Sequence, residues 1–198
     1  MLARRSGRIV WIPLVFALLM IYFSHWPTAV PFVVFAAFAA FFFRDPRRKI
    51  GRGIVAAADG VIREVGFRNG HLFISTFMNV HNVHVNRVPL KGKVAGVRRI
   101  RGGHRPAYGA NADNNSRVVM TLSTGLGRVR VTLIAGTFAW RIVPYVRKGQ
   151  VLRKGRRIGM IRFGSRVDVE LPADRTIPRV EVGDRVKAGV TTIAEVVQ

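Results

Sequence analysis

The chain has 198 residues, 49% of them hydrophobic, which is enough for one globular domain and an additional apolar segment. It contains no cysteine, and this excludes disulfides, thiol catalysis and cysteine-ligated metals. Its 33 Lys and Arg residues against 10 Asp and Glu give a net charge of +23, which is typical of proteins that bind a polyanion, whether nucleic acid or an anionic lipid surface.

Two apolar runs open the chain. From Ile9 to Phe43 there is no Asp, Glu, Lys or Arg, and the only interruption surrounds Trp26-Pro27. A single helix of this length, about 52 Å at ~1.5 Å per residue, exceeds the ~30 Å hydrocarbon core of a bilayer. Two helices joined at Trp26-Pro27 would each reach about 23 Å, enough to cross a thin bilayer or to dip into one. Residues 1–43 are therefore predicted to form a helical hairpin that anchors the chain in a membrane.

Basic residues flank both ends of the predicted hairpin: Arg4, Arg5 and Arg8 before it, and Arg44, Arg47, Arg48 and Lys49 after it. The positive-inside rule then places both ends, and the domain that follows, on the cytoplasmic side of the cell membrane. A cleavable secretory signal would also start with basic residues and an apolar run, but the second apolar run and its basic stop argue against one. Anionic headgroups explain the positive charge better than nucleic acid does, so we expect no nucleic-acid partner.

Residues 44–198 are predicted to form one mainly β catalytic domain. Short runs rich in β-branched and aromatic residues alternate with glycine turns, and the clearest span residues 61–62, 71–77, 118–122 and 129–134. A weak repeat with an offset of 34 residues relates Gly149 and Gly155 to Gly183 and Gly189. Each copy is similar to the half-motifs of lipoyl and biotinyl carrier domains, which indicates a barrel-sandwich hybrid. A carrier function is not indicated, because no turn shows the lysine pattern that carriers use.

Segment 101–117 is polar and rich in turn-forming residues, so a long loop is predicted there. Loops of this length in a compact domain are often binding loops or lids. A surface excursion without a function fits the composition equally well. The sequence leaves both interpretations open.

The Gly164-Ser165 pair is a place where the chain could cut itself. Ser165 can attack the carbonyl of Gly164, and β-elimination from the resulting ester would leave the new N-terminus as a pyruvoyl group. Such an electrophile comes from the backbone and needs no metal or dissociable cofactor. A lone Gly-Ser pair also fills ordinary turns, so other motifs must decide. A serine hydrolase is not indicated, because no Gly-x-Ser-x-Gly elbow surrounds Ser165 or occurs elsewhere.

Several motifs occur together in one order along the chain, and they lie at residues 42–46, 57–60, 77–89, 134–136, 141–143 and 159–168. Among them are Ala-Asp-Gly at 58–60, Asn-Val-His-Val-Asn-Arg at 82–87 and Phe-Gly-Ser at 163–165. With these motifs, the chain resembles the phosphatidylserine decarboxylases in their short, membrane-anchored form. The resemblance covers nearly the whole length.

The resemblance implies a proenzyme that cleaves between Gly164 and Ser165 into a β chain, 1–164, and an α chain, 165–198, with Ser165 converted to the pyruvoyl group. The amine of phosphatidylserine would form a Schiff base with this carbonyl, which accepts the electron pair released with carbon dioxide; protonation and hydrolysis then yield phosphatidylethanolamine. His84 matches the family's histidine and is the expected general acid. Asp59 matches the family's aspartate, which assists self-cleavage. No metal is implied, and a homodimer is possible.

One position departs from the best-known family pattern. The longer bacterial enzymes carry a second histidine three positions after the first, and this chain has Arg87 there. Because arginine stays protonated, it cannot act as the base, so either Asp59 acts through His84 or Asp59 deprotonates Ser165 directly. Arg87 could instead bind the phosphate or carboxylate of the substrate with its guanidinium. His81, an odd number of residues from His84, would point away from it on a strand and is expected at the surface or behind the site.

Two alternatives to this function remain open. The first is a decarboxylase of a related serine phospholipid, archaetidylserine, because the carbonyl chemistry involves only the serine headgroup. The second is an uncleaved relative that binds anionic lipid through its arginines. The joint presence of Asp59, His84, Gly164 and Ser165 argues against the second alternative, since a binding surface needs only the charge.

Overall fold

The computed structural model describes residues 1–4, 6–106, 114–137, 141–162 and 165–197. It divides the chain into two compact units, Met1–Arg47 and Arg48–Gln198. The predicted functional boundary between residues 43 and 44 stays a prediction.

The N-terminal unit is a helical hairpin of α1 (Gly7–Tyr22) and α2 (Trp26–Phe42). The break lies where the sequence predicts it, because a proline follows Trp26 in the first turn of α2, where its missing N–H costs no hydrogen bond. Hydrogen bonds from Ala3 N to Phe43 O (2.7 Å) and from Asp45 N to Met1 O (2.7 Å) bring the two ends of the hairpin together.

The buried side chains of this hairpin are mostly small, and its exposed side chains are mostly large. The buried helical residues are Val10, Ala17, Ala29, Ala36, Ala39 and Phe42. Most of the large apolar side chains are exposed, among them Trp11, Phe16, Trp26 and Phe35. Within the described residues, no helix has both the length and the apolar character needed to cross a membrane.

The second unit consists of fourteen strands among its described residues, with a short 3-10 turn at Ala173–Arg175. The strands are β1 (Ile54–Val55), β2 (Gly60–Arg68), β3 (His71–Met78), β4 (Val85–Arg87), β5 (Gly92–Ile100), β6 (Arg117–Thr124), β7 (Gly127–Ala135), β8 (Ile142–Pro144), β9 (Val151–Leu152), β10 (Arg157–Ile161), β11 (Ser165–Pro172), β12 (Thr176–Pro178), β13 (Arg185–Val186) and β14 (Thr192–Val196). The predicted mainly β fold with an N-terminal helical hairpin is therefore confirmed. The barrel-sandwich detail stays a prediction.

One large antiparallel sheet has the order β13-β2-β3-β11-β7-β6-β5-β9. Side chains alternate across it, as the period of two along a strand requires. On β11, Val167, Val169 and Leu171 are buried on the face that packs into the core, while Arg166, Asp168 and Glu170 alternate with them. The C-terminal segment thus lies in the middle of the sheet, because β11 pairs with β3 on one side and β7 on the other.

The predicted repeat contributes strands to two small sheets, β1-β14-β12 and β4-β10-β8, and supplies the two edge strands, β9 and β13, of the large sheet. The offset of 34 residues relates β8, β9 and β10 to β12, β13 and β14, so each copy is a strand, a short strand and a return strand. Gly155 and Gly189 occupy matching turns with φ of +75° and +76°, a backbone conformation that residues other than glycine rarely adopt. The glycines that reveal the repeat in the sequence are therefore required by the turns.

Candidate active site

Ser165 is the first residue of β11 and is completely buried. It lies opposite Met78 on β3 and Ala135 on β7. Because it is an even number of residues before Val167, its side chain points to the same face, into the core. Its hydroxyl donates to Met78 Sδ at 3.3 Å, and a thioether is a weak acceptor. The oxygen is thus held in place without a strong hydrogen bond that would lower its reactivity.

Met78 also connects Ser165 to β4. The side-chain amide of Asn86 donates from Nδ2 to the same Met78 Sδ at 3.4 Å. Asn86 is fully buried, and its Oδ1 has no hydrogen-bond partner among the described residues. The sequence indicates no function for Asn86 or Met78, because their proximity to Ser165 depends on contacts between strands that are distant in the chain.

His84 lies two residues before Asn86 and is 1% exposed. Its Nδ1 is 2.9 Å from Asn82 O, and because a carbonyl can only accept, Nδ1 carries the proton. In the neutral ring, Nε2 is then the nitrogen that can take up a proton. The backbone of His84 accepts a hydrogen bond from Ile161 N (3.3 Å) at the end of β10, four residues before Ser165. His81 is exposed, in agreement with the expected surface position.

Arg87 extends to the side of β4 opposite Asn86, as alternation along the strand requires. Its guanidinium donates to Gly155 O at 3.1 Å, and its Cδ packs beside Gly189. It is 6% exposed. These contacts favour a structural role at the two glycine turns. The substrate-binding role of Arg87 stays a prediction.

The Asp59 carboxylate is buried and accepts hydrogen bonds from Nη1 and Nη2, the two terminal guanidinium nitrogens of Arg48, with Arg48 Nη2 at 2.7 Å from Oδ2. Ala188 N donates to Oδ1 at 2.8 Å, and Arg48 Nη1 also donates to Ala188 O. We call these three residues the Asp59 clamp. The hydrogen bonds of Asp59 among the described residues all belong to this clamp.

The clamp lies apart from Ser165 in the sheet. Asp59 immediately precedes β2, and β3 separates β2 from β11. Two strand spacings of about 4.8 Å put the backbones of Asp59 and Ser165 roughly 10 Å apart. The structure thus brings His84, Asn86 and Ser165 to one region, whereas Asp59 joins the N-terminal side of the domain to the C-terminal segment.

Two arginines face each other next to this region. Arg162 N donates to Arg141 O at 3.2 Å, and the register of β8 and β10 places these residues directly opposite. Burial lowers the pKa of Arg162, and the Arg141 guanidinium lowers it further, while Tyr145 acts in the opposite direction. Like charges on directly opposed residues destabilise a sheet. The pair is therefore a place where an anion would be stabilised.

The base of the predicted loop 101–117 is tied to the strand beside Ser165. The buried Asn115 amide donates to Ala135 O at 2.8 Å and to Arg105 O, and its Oδ1 accepts from Arg105 N at 2.9 Å. Ala135 is the neighbour of Ser165 on β7. The two described ends of the loop are thus fixed next to the candidate site. Residues 107–113, like Gly164, lie outside the described residues.

A cleft of about 920 Å³ lies on the other face of the sheet. Asp168 and Glu170 line it, and these alternate with the core-facing residues that share the direction of Ser165. Its lining includes six basic side chains: Arg68, Arg98, Arg117, Arg130, Arg147 and Lys148. It is therefore separate from the candidate active site.

Known proteins resemble this chain over most of its length. The profile of the phosphatidylserine decarboxylase family matches residues 35–194. A phosphatidylserine decarboxylase proenzyme from Streptomyces avermitilis is 47% identical over 167 residues, covering 83% of this chain and 77% of the relative. The proenzyme of the same name from Thermobifida fusca is 48% identical over 83% of this chain and 76% of the relative.

An archaeal relative has the same level of similarity. A protein of Halobacterium salinarum, provisionally named an archaetidylserine decarboxylase proenzyme, is 46% identical over 85% of this chain and 86% of its own length. The chain is thus an enzyme of the decarboxylase class. It belongs to the phosphatidylserine decarboxylase family, as its motifs predict.

Proposed function

We propose that this chain is a self-processing decarboxylase that converts phosphatidylserine to phosphatidylethanolamine and carbon dioxide with a pyruvoyl group made from Ser165. The observation that carries the proposal is the buried Ser165 hydroxyl at the start of β11, whose one hydrogen bond among the described residues goes to the Met78 sulfur, in a member of this family. Cleavage is proposed between Gly164 and Ser165. A homodimer stays a prediction.

The surroundings of Ser165 fit a pyruvoyl group. Met78 and Ala135, its two strand neighbours, are uncharged, and the Asn86 amide provides a donor one sulfur atom away. The group would supply an electrophilic carbonyl that accepts the electron pair released with carbon dioxide. His84 Nε2 can take the proton of the Ser165 hydroxyl during self-cleavage and can later deliver a proton to the product carbon.

The position of β11 explains how two chains would stay together after cleavage. This strand pairs along eight residues with β3 and along six with β7. The segment from Ser165 onward would therefore remain in the sheet without the peptide bond. The Asp59 clamp supports the same function, because Ala188 belongs to this segment and Asp59 and Arg48 do not.

An intact mass spectrum of the purified full-length protein tests the proposal. The expected result is two chains that divide before residue 165, the smaller being lighter by one ammonia than the peptide 165–198 that begins with an unmodified serine. Two fragments of unmodified mass would rule out the pyruvoyl group. A single full-length mass for the folded protein in lipid would rule out self-processing and favour the anionic-lipid-binding alternative.

The archaetidylserine alternative is supported by the Halobacterium salinarum relative. Both lipids present the same serine headgroup to the site, so the proposed chemistry applies to each. Carbon dioxide release from phosphatidylserine and from archaetidylserine in matched vesicles separates the two functions. The higher kcat/KM identifies the preferred lipid.

The opposed pair Arg141 and Arg162 is proposed to bind the phosphate or carboxylate of the substrate headgroup. We expect Arg162→Gln to raise KM for phosphatidylserine about tenfold, the worth of one charge-assisted hydrogen bond, with self-cleavage unchanged. Arg98→Gln, in the lining of the cleft on the opposite face, is the control for lost positive charge and should leave KM unchanged. Equal increases in KM for the two variants would contradict a specific site.

The hairpin of α1 and α2 is proposed to hold the domain at the cytoplasmic face of the cell membrane by dipping into the bilayer. Exposed large apolar side chains on both helices support this location, and so does the basic chain that follows. In a flotation assay with phosphatidylserine vesicles, the protein should float even in 1 M salt, where electrostatic attraction is screened within about 3 Å. Release from the vesicles by this salt would show that charge alone holds the protein.

A further inference from the structure

Asn86 has hydrogen-bonding capacity that the fold does not use. Its side chain is completely buried. Among the described residues, its Nδ2 makes one hydrogen bond, to a thioether, and its Oδ1 makes none. Buried amides are nearly always satisfied, because an unmade hydrogen bond inside a protein costs stability. An apolar side chain of similar size would fill the same space at lower cost. The NH2 group of Asn86 has two donor hydrogens and uses them for one weak hydrogen bond among the described residues, so it can donate to an acceptor that forms during the reaction.

Ser165 is the only polar reacting residue that shares a contact atom with Asn86 among the described residues. Met78 Sδ accepts from Ser165 Oγ at 3.3 Å and from Asn86 Nδ2 at 3.4 Å, so one sulfur atom separates the hydroxyl from the amide. Sulfur is a weak acceptor, and a negatively charged oxygen nearby would compete successfully for the amide proton. In a buried site such a hydrogen bond is strong, because water cannot screen it.

The proposed self-cleavage creates a negatively charged oxygen of this kind. Ser165 Oγ forms a bond to the carbonyl carbon of the preceding residue, the hydroxyl proton passes to His84 Nε2, and the carbonyl π pair moves onto oxygen. Collapse of this oxyanion breaks the C–N bond, and the nitrogen takes up the proton, which leaves an ester and a free amine. Four of the five atoms in the ring of the intermediate belong to Ser165, so the oxyanion forms close to the Ser165 side chain.

We propose that Asn86 is the oxyanion-binding residue of self-cleavage: its side-chain N–H leaves the Met78 sulfur and donates to the oxyanion formed when Ser165 attacks. This inference rests on the proposed function and adds a catalytic residue to it. Met78 holds both groups in the resting chain without competing strongly with the intermediate. The His84 base and the Asn86 donor, two residues apart, then act on the same intermediate from one segment.

The test follows self-cleavage of the full-length chain after synthesis in a cell-free system with phosphatidylserine vesicles. Cleaved and uncleaved chains are separated on denaturing gels at successive times. Asn86→Ala and the nearly isosteric Asn86→Asp should both slow cleavage about 100-fold, as expected for loss of one oxyanion donor. Met78→Leu, which keeps the volume but removes the sulfur, is the matched control and should cleave close to the wild-type rate.

Hydroxylamine identifies the step that is affected. It cuts the ester, so it releases the fragments from any chain that has completed the attack by Ser165. The proposal predicts that hydroxylamine does not restore cleavage of the Asn86 variants, because their ester does not form. Restoration to the wild-type rate would place Asn86 after the attack and overturn the proposal.

The remaining outcomes are also decisive. Wild-type cleavage rates in the Asn86 variants would overturn the proposal, as would an equal loss of rate in Met78→Leu, which would assign the effect to the sulfur contact. Loss of a cooperative thermal transition in both Asn86 variants, measured by circular dichroism in the Ser165→Ala background, would make Asn86 a structural residue. A wild-type chain that does not cleave would instead refute the proposed function itself.

Discussion

Ser165→Ala is expected to give a folded, uncleaved chain of 198 residues with no decarboxylase activity. The substitution removes the one oxygen that can attack the preceding carbonyl, so neither the ester nor the pyruvoyl group can form. Within the described part of the chain, the substitution removes one hydrogen bond, to the Met78 sulfur, and we expect the free energy of unfolding to change by about 1 kcal/mol or less. Intact mass, carbon dioxide release and a thermal melt measure the three effects.

Ser75→Ala is the matched control for this substitution. Ser75 is 1% exposed, lies on the neighbouring strand β3, and has a hydroxyl without a hydrogen-bond partner among the described residues. Because its removal leaves no unsatisfied group, this variant should cleave normally and be at least as stable as the wild type. Cleavage before residue 165 in the Ser165→Ala chain would show that another group attacks the bond, which would refute the proposed route.

Local sequence patterns predict the fold to the extent that each element depends on neighbouring residues. The β-branched runs at 71–77 and 129–134 became β3 and β7, because alternate side chains there enter the core. The break of the N-terminal hairpin follows from the proline after Trp26. The glycines of the repeat likewise mark turns that need a positive φ.

The candidate site was predictable only in part, because most of its contacts join distant segments. The position of Ser165 follows from its motif, but its contact with Met78 spans 87 residues. The hydrogen bond between Asp59 and Ala188 spans 129 residues, and no local sequence pattern predicts it. Because side chains alternate along β4, those of Asn86 and Arg87 lie on opposite faces of the strand, and the structure shows what each face contacts. The odd spacing between His84 and Arg87 was a signal in the sequence that these residues face opposite ways.

Breaking the Asp59 clamp is expected to produce the largest loss of stability. Asp59→Asn keeps an acceptor for Ala188 N but leaves the Arg48 guanidinium, whose side chain is 9% exposed, without its counter-charge. Removal of one partner from a buried ion pair costs about 3–5 kcal/mol, because the other charge remains in a poorly solvated place. Urea unfolding in the Ser165→Ala background measures this effect on a chain that stays in one piece.

The double variant Arg48→Met with Asp59→Asn separates the clamp from the catalytic relay that the family resemblance implies for Asp59. Without either charge, most of the lost stability should return, since paired apolar or neutral replacements of a buried ion pair are often neutral. If Asp59 acts by holding the C-terminal segment, self-cleavage returns together with stability in a chain that retains Ser165. A stable double variant that does not cleave would show that the Asp59 carboxylate itself is needed. It would then act either through His84 or directly on Ser165, and direct action requires a rearrangement, because two strand spacings separate the backbones of Asp59 and Ser165 by roughly 10 Å. The clamp geometry favours the first result, because both Asp59 oxygens already accept hydrogen bonds from Arg48 and Ala188.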